Sequence, residues 1–354
     1  MVSETTQAGA GATPAPGAGA VSGRRGPDFF IVGAPKCGTT AMSEYLRGHA
    51  DVFLSTPKEP LFFCADFTGV PRPRTLSEYL ALFRSAPREA LAGEASAMYL
   101  YSDVAIAELH RAFPHARLIA MLRHPVDLAH AFHAEMLFGQ NEDEPDFSTA
   151  WALQEERRAG RSLPARCWEP AFLQYRDVAR LGHQLSRLLA TVPEHQVLVL
   201  LFDDFTSDPA AAYARVLRFL DLADDERADF PVVNENKRLR SSGLARWMRP
   251  PAALSRAVAS GKRALGLERL HLLGPLRRMN LERRPRDPLP AELRASLTRE
   301  FEEDIALLAR LLDRDLSGWL APSESPPPGA ARMSPAGNEP GRQRDAKLGR
   351  GSTE

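Results

Sequence analysis

The chain has 354 residues, 44% of them hydrophobic, enough to bury a large core. Its 45 basic residues balance 45 acidic ones, which excludes a global field drawing it to nucleic acid or to an anionic membrane. Three widely spaced cysteines, Cys37, Cys64 and Cys167, form no C-x-x-C pair; they indicate neither a disulfide framework nor a zinc site and fit a reducing cytoplasm.

Residues 1–26 are rich in Ala, Gly, Pro and Thr and hold no apolar run of signal-peptide length, so they read as a flexible tail. Phe29 to Val32 form an apolar run that reads as a buried strand, and Thr39 to Leu46 carry the apolar spacing of a helix. The turn between them runs from Gly33 to Gly38. Successive N–H groups in such a turn point inward, and the helix N-terminus adds partial positive charge, which together make a phosphate cradle. The glycine spacing resembles that of the nucleoside-triphosphate P-loop, but Thr39 stands where that loop needs its lysine, and Lys36 lies three residues earlier. That displacement counts against an ATP or GTP hydrolase.

Further along, strand-like and helix-like segments alternate: a strand over Ala90–Ser96, a helix over Asp103–Phe113, a strand over Arg117–Leu122 and a helix over Val126–Leu137. That order implies right-handed βαβ units and a parallel sheet. One long helix is predicted over Ala171–Leu189, leading into a strand over Gln196–Phe202 whose apolar run suits burial on both faces. Asp203 and Asp204 follow it and read as helix caps before Ser207-Asp208-Pro209 in preference to Mg²⁺ ligands. Leu293, Leu297, Phe301, Ile305, Leu308 and Leu311 recur at three- and four-residue spacing, one apolar helix face. No apolar stretch reaches membrane-spanning length, and residues 321–354, rich in Pro, Gly and Arg, cannot bury a core. The expected fold is α/β: a P-loop-type three-layer arrangement with a central parallel sheet flanked by helices.

The hexapeptide Pro35–Thr40, PKCGTT, following an apolar strand, resembles the 5′-phosphosulfate loop of sulfotransferases that use 3′-phosphoadenosine 5′-phosphosulfate (PAPS). Three downstream stretches agree. Lys58–Phe63, KEPLFF, is similar to the K-E-x-x-F-F segment of the heparan-sulfate and bacterial branch; Gly93–Ser96 with Tyr99 and Leu100 resembles G-E-x-S-P-x-Y-L; Leu122–Asp127, LRHPVD, resembles L-R-N-P-V-E, which opens the 3′-phosphate site. The likeness runs from about Pro27 to Trp319 and implies a sulfotransferase domain over 27–320 between tails at 1–26 and 321–354.

The resemblance implies roles residue by residue. Lys36 would meet charge developing on the bridging oxygen of the phosphosulfate, where removing such a donor costs about 100- to 1,000-fold in rate. Cys37, Gly38, Thr39 and Thr40 would hold the 5′-phosphate through the backbone and the two threonine hydroxyls. Cys37 itself reads as a small packing residue. Glu59 stands where the heparan-sulfate branch has its catalytic glutamate, and Leu61, Phe62 and Phe63 are expected to desolvate it and raise its pKa. Composition alone would make Glu59 a loop glutamate paired with Lys58. His130 and His133 are the other available bases and read as packed or surface helix residues in preference to a base.

Arg123 would bind the 3′-phosphate, with Lys237, Arg240 or Ser241 of the Asn234–Ser242 stretch adding contacts. The family has a serine eight residues after this arginine, and position 131 here is Ala131, a loss of about 0.5–1.5 kcal/mol for one neutral hydrogen bond. The segment from Leu239 to Arg286 corresponds to the family's acceptor cleft and lid and is expected to be mobile without nucleotide. Its basic clusters, Arg277-Arg278 and Arg283-Arg284-Pro285-Arg286, read as a solvated face before they read as a device for steering an anionic acceptor.

The implied co-substrate is PAPS, with no metal required. The acceptor would be a carbohydrate, a glycolipid or a secondary metabolite; no nucleic-acid partner and no membrane anchor are expected, and the location is cytoplasmic. A P-loop kinase would need a lysine at position 39 and Mg²⁺ ligands. A non-catalytic nucleotide-binding protein of the same fold finds support only in Ala131.

Overall fold

The computed structural model describes residues 26–231 and 286–321, with two further strands, Lys237–Leu239 and Leu281–Arg283, described by backbone alone. Arg240 and Ser241 lie outside the described residues, as does nearly all of the expected lid.

The framework is a parallel sheet of β1 (Phe29–Gly33), β2 (Val52–Leu54), β3 (Leu91–Ala95), β4 (Arg117–Leu122) and β5 (Val197–Leu201) in the order β2-β3-β1-β4-β5. β1 sits centrally because every one of its residues is apolar or glycine and all are buried; Phe29 pairs with Gly93 on one side and Arg117 on the other. Helices flank it: α1 (Thr39–Arg47), α2 (Leu76–Leu80), α3 (Ala105–Ala112), α4 (Pro125–Gly139), α5 (Phe147–Ala152), α6 (Gln154–Arg158), α7 (Tyr175–Ala179), α8 (Leu181–Thr191), α9 (Phe202–Ser207) and α10 (Pro209–Phe219). The strands Lys237–Leu239 (β6) and Leu281–Arg283 (β7) pair antiparallel, and α11 (Ala291–Glu300) and α12 (Glu302–Leu312) follow. The expected α/β architecture is present.

Three elements differ from the sequence expectation. The single helix over 171–189 is broken into a 3₁₀ turn at Pro170–Leu173, α7 and α8, with Gln174 and Arg180 out of helical conformation. At each break a buried donor meets an acceptor from a distant segment. The Gln174 amide, 5% exposed, donates to the Gln154 carbonyl, and Gly182 donates its N–H to Asp304 at 2.8 Å, where a Cβ would come within 2.3 Å of the Asp304 carbonyl oxygen. The C-terminal apolar face is split at Phe301 into α11 and α12, yet Leu297, Phe301, Ile305 and Leu308 are all buried. β5 is an edge strand, so only Leu200 and Leu201 are buried and Val197–Val199 are half-covered, not enclosed on both faces.

Candidate active site

Because every strand of the sheet is parallel, the segments leaving their carboxyl ends gather along one edge. They carry Lys36 after β1, Glu59 after β2, Ser96 after β3, Arg123 after β4 and Asp203 after β5.

The loop after β1 is built to expose main-chain donors. Gly38 caps α1 with φ 88°, a left-handed conformation, and a Cβ there would sit 2.9 Å from the Phe205 ring. No side chain caps the helix and its first turn holds no acidic residue, so neither its cap nor its own first turn neutralises its positive end. Cys37 is fully buried and donates its thiol to the Pro35 carbonyl; burial pushes its pKa up to about 12, against the pull of the Arg123 and Lys36 charges. It is a packing residue. Thr39 is buried and Thr40 half-buried.

Lys36 has φ 62° and Glu59 φ 59°, left-handed backbone that costs a non-glycine residue about 1–2 kcal/mol. Such outliers concentrate at working sites. The Lys36 ammonium lies 3.0 Å from Glu135 Oε2 on α4, and the Lys36 carbonyl accepts from Arg123 Nη1 at 3.3 Å. Lys36 and Arg123 are therefore tied together directly. Arg123 also stacks 4.4 Å over the Phe202 ring, and its Nε is buried without a partner among the described residues. Glu135 escaped the sequence reading, although it is the only acidic residue of α4 besides Asp127.

Glu59 is seated by its N–H on the Ala95 carbonyl at 2.9 Å, and two residues on, the Leu61 N–H donates to Ser96 Oγ. The desolvation expected for it does not occur. Its side chain is 41% exposed and lies 2.5 Å from Lys58 Nζ, while Leu61 and Phe63 turn into the core and Phe62 stacks on Tyr79. The apolar neighbours bury themselves and leave the carboxylate in water. Below it, Glu94 is fully buried and accepts from the Tyr79 and Tyr99 hydroxyls at 2.7 and 2.9 Å. Burial pushes its pKa up to about 7, against the pull of the two tyrosine hydroxyls.

The histidines are packed. His133 is 3% exposed between Phe147 and Tyr175, with Nε2 donating to the Glu144 carbonyl at 2.9 Å. Burial pushes His130 down to about 4 and lowers His133 as well. Ala131 is buried and presents no donor. Asp203 and Asp204 lie inside the first turn of α9 and not at a cap: Asp203 accepts from the Trp319 indole, Asp204 pairs with Arg314, and the cap of α10 is Asp208, which accepts from the Ala211 N–H. Lys237 is described as part of β6 without its side chain, so its expected phosphate contact, like those of Arg240 and Ser241, lies outside the described residues. Among the described residues, no group of three or more potential metal ligands occurs, and no helix is long and apolar enough to cross a membrane.

Comparison with known proteins gives one consistent picture. The family model described as "Sulfotransferase family" matches residues 101–226. The chain is 30% identical over 213 residues to mouse heparan sulfate glucosamine 3-O-sulfotransferase 6, covering 59% of this chain and 57% of that one. It is 28% identical over 251 residues to human carbohydrate sulfotransferase 15, covering 55% of this chain and 44% of the relative. With the bovine bifunctional heparan sulfate N-deacetylase/N-sulfotransferase 2 the match is 26% over 220 residues, 60% of this chain but 23% of the relative. The chain thus spans between about a quarter and three fifths of these relatives' lengths. Among solved structures, a sulfotransferase from Alicyclobacillus acidocaldarius superposes with TM-score 0.61 at 27% identity, covering 83% of this chain and 99% of that one.

Proposed function

The chain belongs to the sulfotransferase family, and from that premise we propose that it moves the sulfuryl group of PAPS to a hydroxyl or amine of a carbohydrate, glycolipid or secondary-metabolite acceptor. The S–O bond to the 5′-phosphate breaks, a bond from sulfur to the acceptor atom forms, the acceptor proton goes to a base, and 3′-phosphoadenosine 5′-phosphate leaves. Little of this is covalent work for the protein, so positioning and charge stabilisation dominate, as in phosphoryl transfer.

Each residue then has one task. The uncapped start of α1, with Gly38, Thr39 and Thr40, holds the 5′-phosphate. Lys36 sits on the phosphosulfate and meets the charge left on the bridging oxygen. Arg123 takes the 3′-phosphate, and Glu59 receives the acceptor proton. The observation that carries the reading is the bond from Arg123 to the Lys36 carbonyl, which links the two proposed anion-binding cations beside an uncapped helix start. All three cysteines are free, which supports a cytoplasmic setting.

Thermal-shift titration with 3′-phosphoadenosine 5′-phosphate, against ATP with and without Mg²⁺, tests this on wild type and Lys36→Ala. The bisphosphate at 100 times its dissociation constant stabilises the native state by about 2.7 kcal/mol without metal. The Lys36 change reduces that gain. Stabilisation by ATP with Mg²⁺ alone overturns the assignment.

A further inference from the structure

Glu59 and Leu61 both hold left-handed backbone, with φ 59° and 52°, in the loop that carries the proposed base. Such strain persists only where the surroundings over-determine the chain. Two bonds at the end of β3 supply part of that hold: the Ala95 carbonyl accepts from the Glu59 N–H at 2.9 Å, and Ser96 Oγ accepts from the Leu61 N–H at 3.2 Å. The rest is aromatic. Phe62 stacks on Tyr79 with ring centroids 4.6 Å apart and planes 11° from parallel, while Phe63 meets the Tyr79 and Tyr99 rings edge-on at 5.4 and 5.7 Å.

Both tyrosines are fully buried, and they share one acceptor: Glu94 Oε2 lies 2.7 Å from the Tyr79 hydroxyl and 2.9 Å from that of Tyr99. Ring packing sets the planes of neighbouring aromatics but leaves them free to slide, whereas a directional bond to the hydroxyl fixes each ring in its plane. Glu94 thereby joins α2, which carries Tyr79, to the segment after β3, which carries Tyr99. It also stands directly before Ala95 and Ser96 in the chain, so the strand end that binds the loop backbone and the carboxyl that fixes its aromatic bed are one piece. Burying a carboxyl completely is costly, and no step of the transfer described above uses this one.

We propose that Glu94 is the positioning residue of the Glu59 loop: through the Tyr79 and Tyr99 hydroxyls it locks the rings on which Phe62 and Phe63 rest, and so holds Glu59 at the carboxyl edge of the sheet. The inference rests on the transferase reading above for what Glu59 does there. Glu94 touches neither donor nor acceptor in this scheme; it acts through the two tyrosines alone, as a buried polar network that admits one arrangement of its members.

Hydrogen exchange on the full chain, read by mass spectrometry over residues 58–63, tests this without nucleotide or acceptor. Glu94→Ala removes the shared acceptor, and exchange in this stretch rises about 10-fold or more, as expected for two lost hydrogen bonds, while β1 and α1 exchange as in wild type. Glu94→Gln keeps a carbonyl oxygen for both hydroxyls and stays within about threefold of wild type. Tyr79→Phe keeps the ring and loses only its bond; it raises exchange in the same stretch about three- to tenfold and provides the test if the alanine variant does not fold. Exchange that rises alike over loop and sheet makes Glu94 a general core residue and overturns the proposal. So does a glutamine variant as loose as the alanine one, or a Tyr79→Phe loop that exchanges as in wild type. The base role fails separately: turnover retained in Glu59→Gln removes it and leaves the exchange result standing.

Discussion

The Lys36 ammonium is held 3.0 Å from Glu135 Oε2, so the cation proposed to meet the phosphosulfate is already engaged by a carboxylate of the chain. The two side chains are 27% and 47% exposed, so the pair is a partly solvated one, worth about 0–1 kcal/mol. A bound anion competes with Glu135 for the same ammonium. Glu135→Gln removes the competitor without changing side-chain shape, and affinity for 3′-phosphoadenosine 5′-phosphate rises, by up to about fivefold. Calorimetric titration of the variant checks this; weaker binding would mean that Glu135 positions Lys36 instead of restraining it.

Glu59 and His133 offer opposite predictions. Glu59 is exposed at the carboxyl edge of the sheet, whereas His133 is enclosed and commits Nε2 to a carbonyl. Glu59→Gln lowers kcat by about 100-fold or more and leaves nucleotide affinity intact, since a positioned base contributes about 10²–10⁴. His133→Ala instead lowers stability and leaves the turnover of the folded fraction in place. Single-turnover sulfuryl transfer, with denaturation of each variant, distinguishes them; abolition of turnover by the histidine change alone would remove Glu59 from its role.

Much of this arrangement was legible because it depends on local pattern. The FFIV run and the Gly33–Gly38 spacing fix a central strand and a turn that leaves the start of α1 without a side-chain cap, using neighbours within a dozen residues. What escaped depends on contacts between distant segments. The Lys36–Glu135 pair spans nearly a hundred residues, and the breaks on either side of α7 answer to Gln154 and Asp304, which no helical periodicity contains. Glu59 failed differently. KEPLFF shows apolar neighbours but not the direction they face, and a left-handed backbone at Glu59 and Leu61 sends them inward and the carboxylate out.

The Glu142 carboxylate is fully buried and accepts from Arg157 at 2.6 and 2.8 Å and from the Tyr175 hydroxyl at 2.6 Å. Burial would raise its pKa, but these bonds outweigh it and hold the group charged. Removing only the cation leaves that charge unpaired. Arg157→Ala is therefore expected to cost about 3–5 kcal/mol of stability. Urea denaturation at neutral pH measures it, and a loss no larger than that of an exposed substitution such as Arg111→Ala would show that water reaches Glu142.

Glu94 gives stability a pH dependence of defined sign. Burial raises its pKa from 4.5 to about 7 in the folded chain, so between those values the native state binds the extra proton and the unfolded state does not. The stabilisation is complete below the unfolded value and is lost as pH rises through about 7, to a ceiling of about 3 kcal/mol. The Tyr79 and Tyr99 hydroxyls that donate to its Oε2 are themselves held protonated by burial, so they do not titrate in this window. Glu94→Gln keeps an acceptor for them and cannot ionise. Other groups titrate alike in both proteins, so the difference between wild type and Glu94→Gln isolates this carboxyl. Denaturation midpoints taken at about pH 5 and pH 8 should separate more steeply for the wild type than for the variant. Parallel profiles would mean that Glu94 is ionised throughout, its charge carried by the two tyrosine hydroxyls that donate to it.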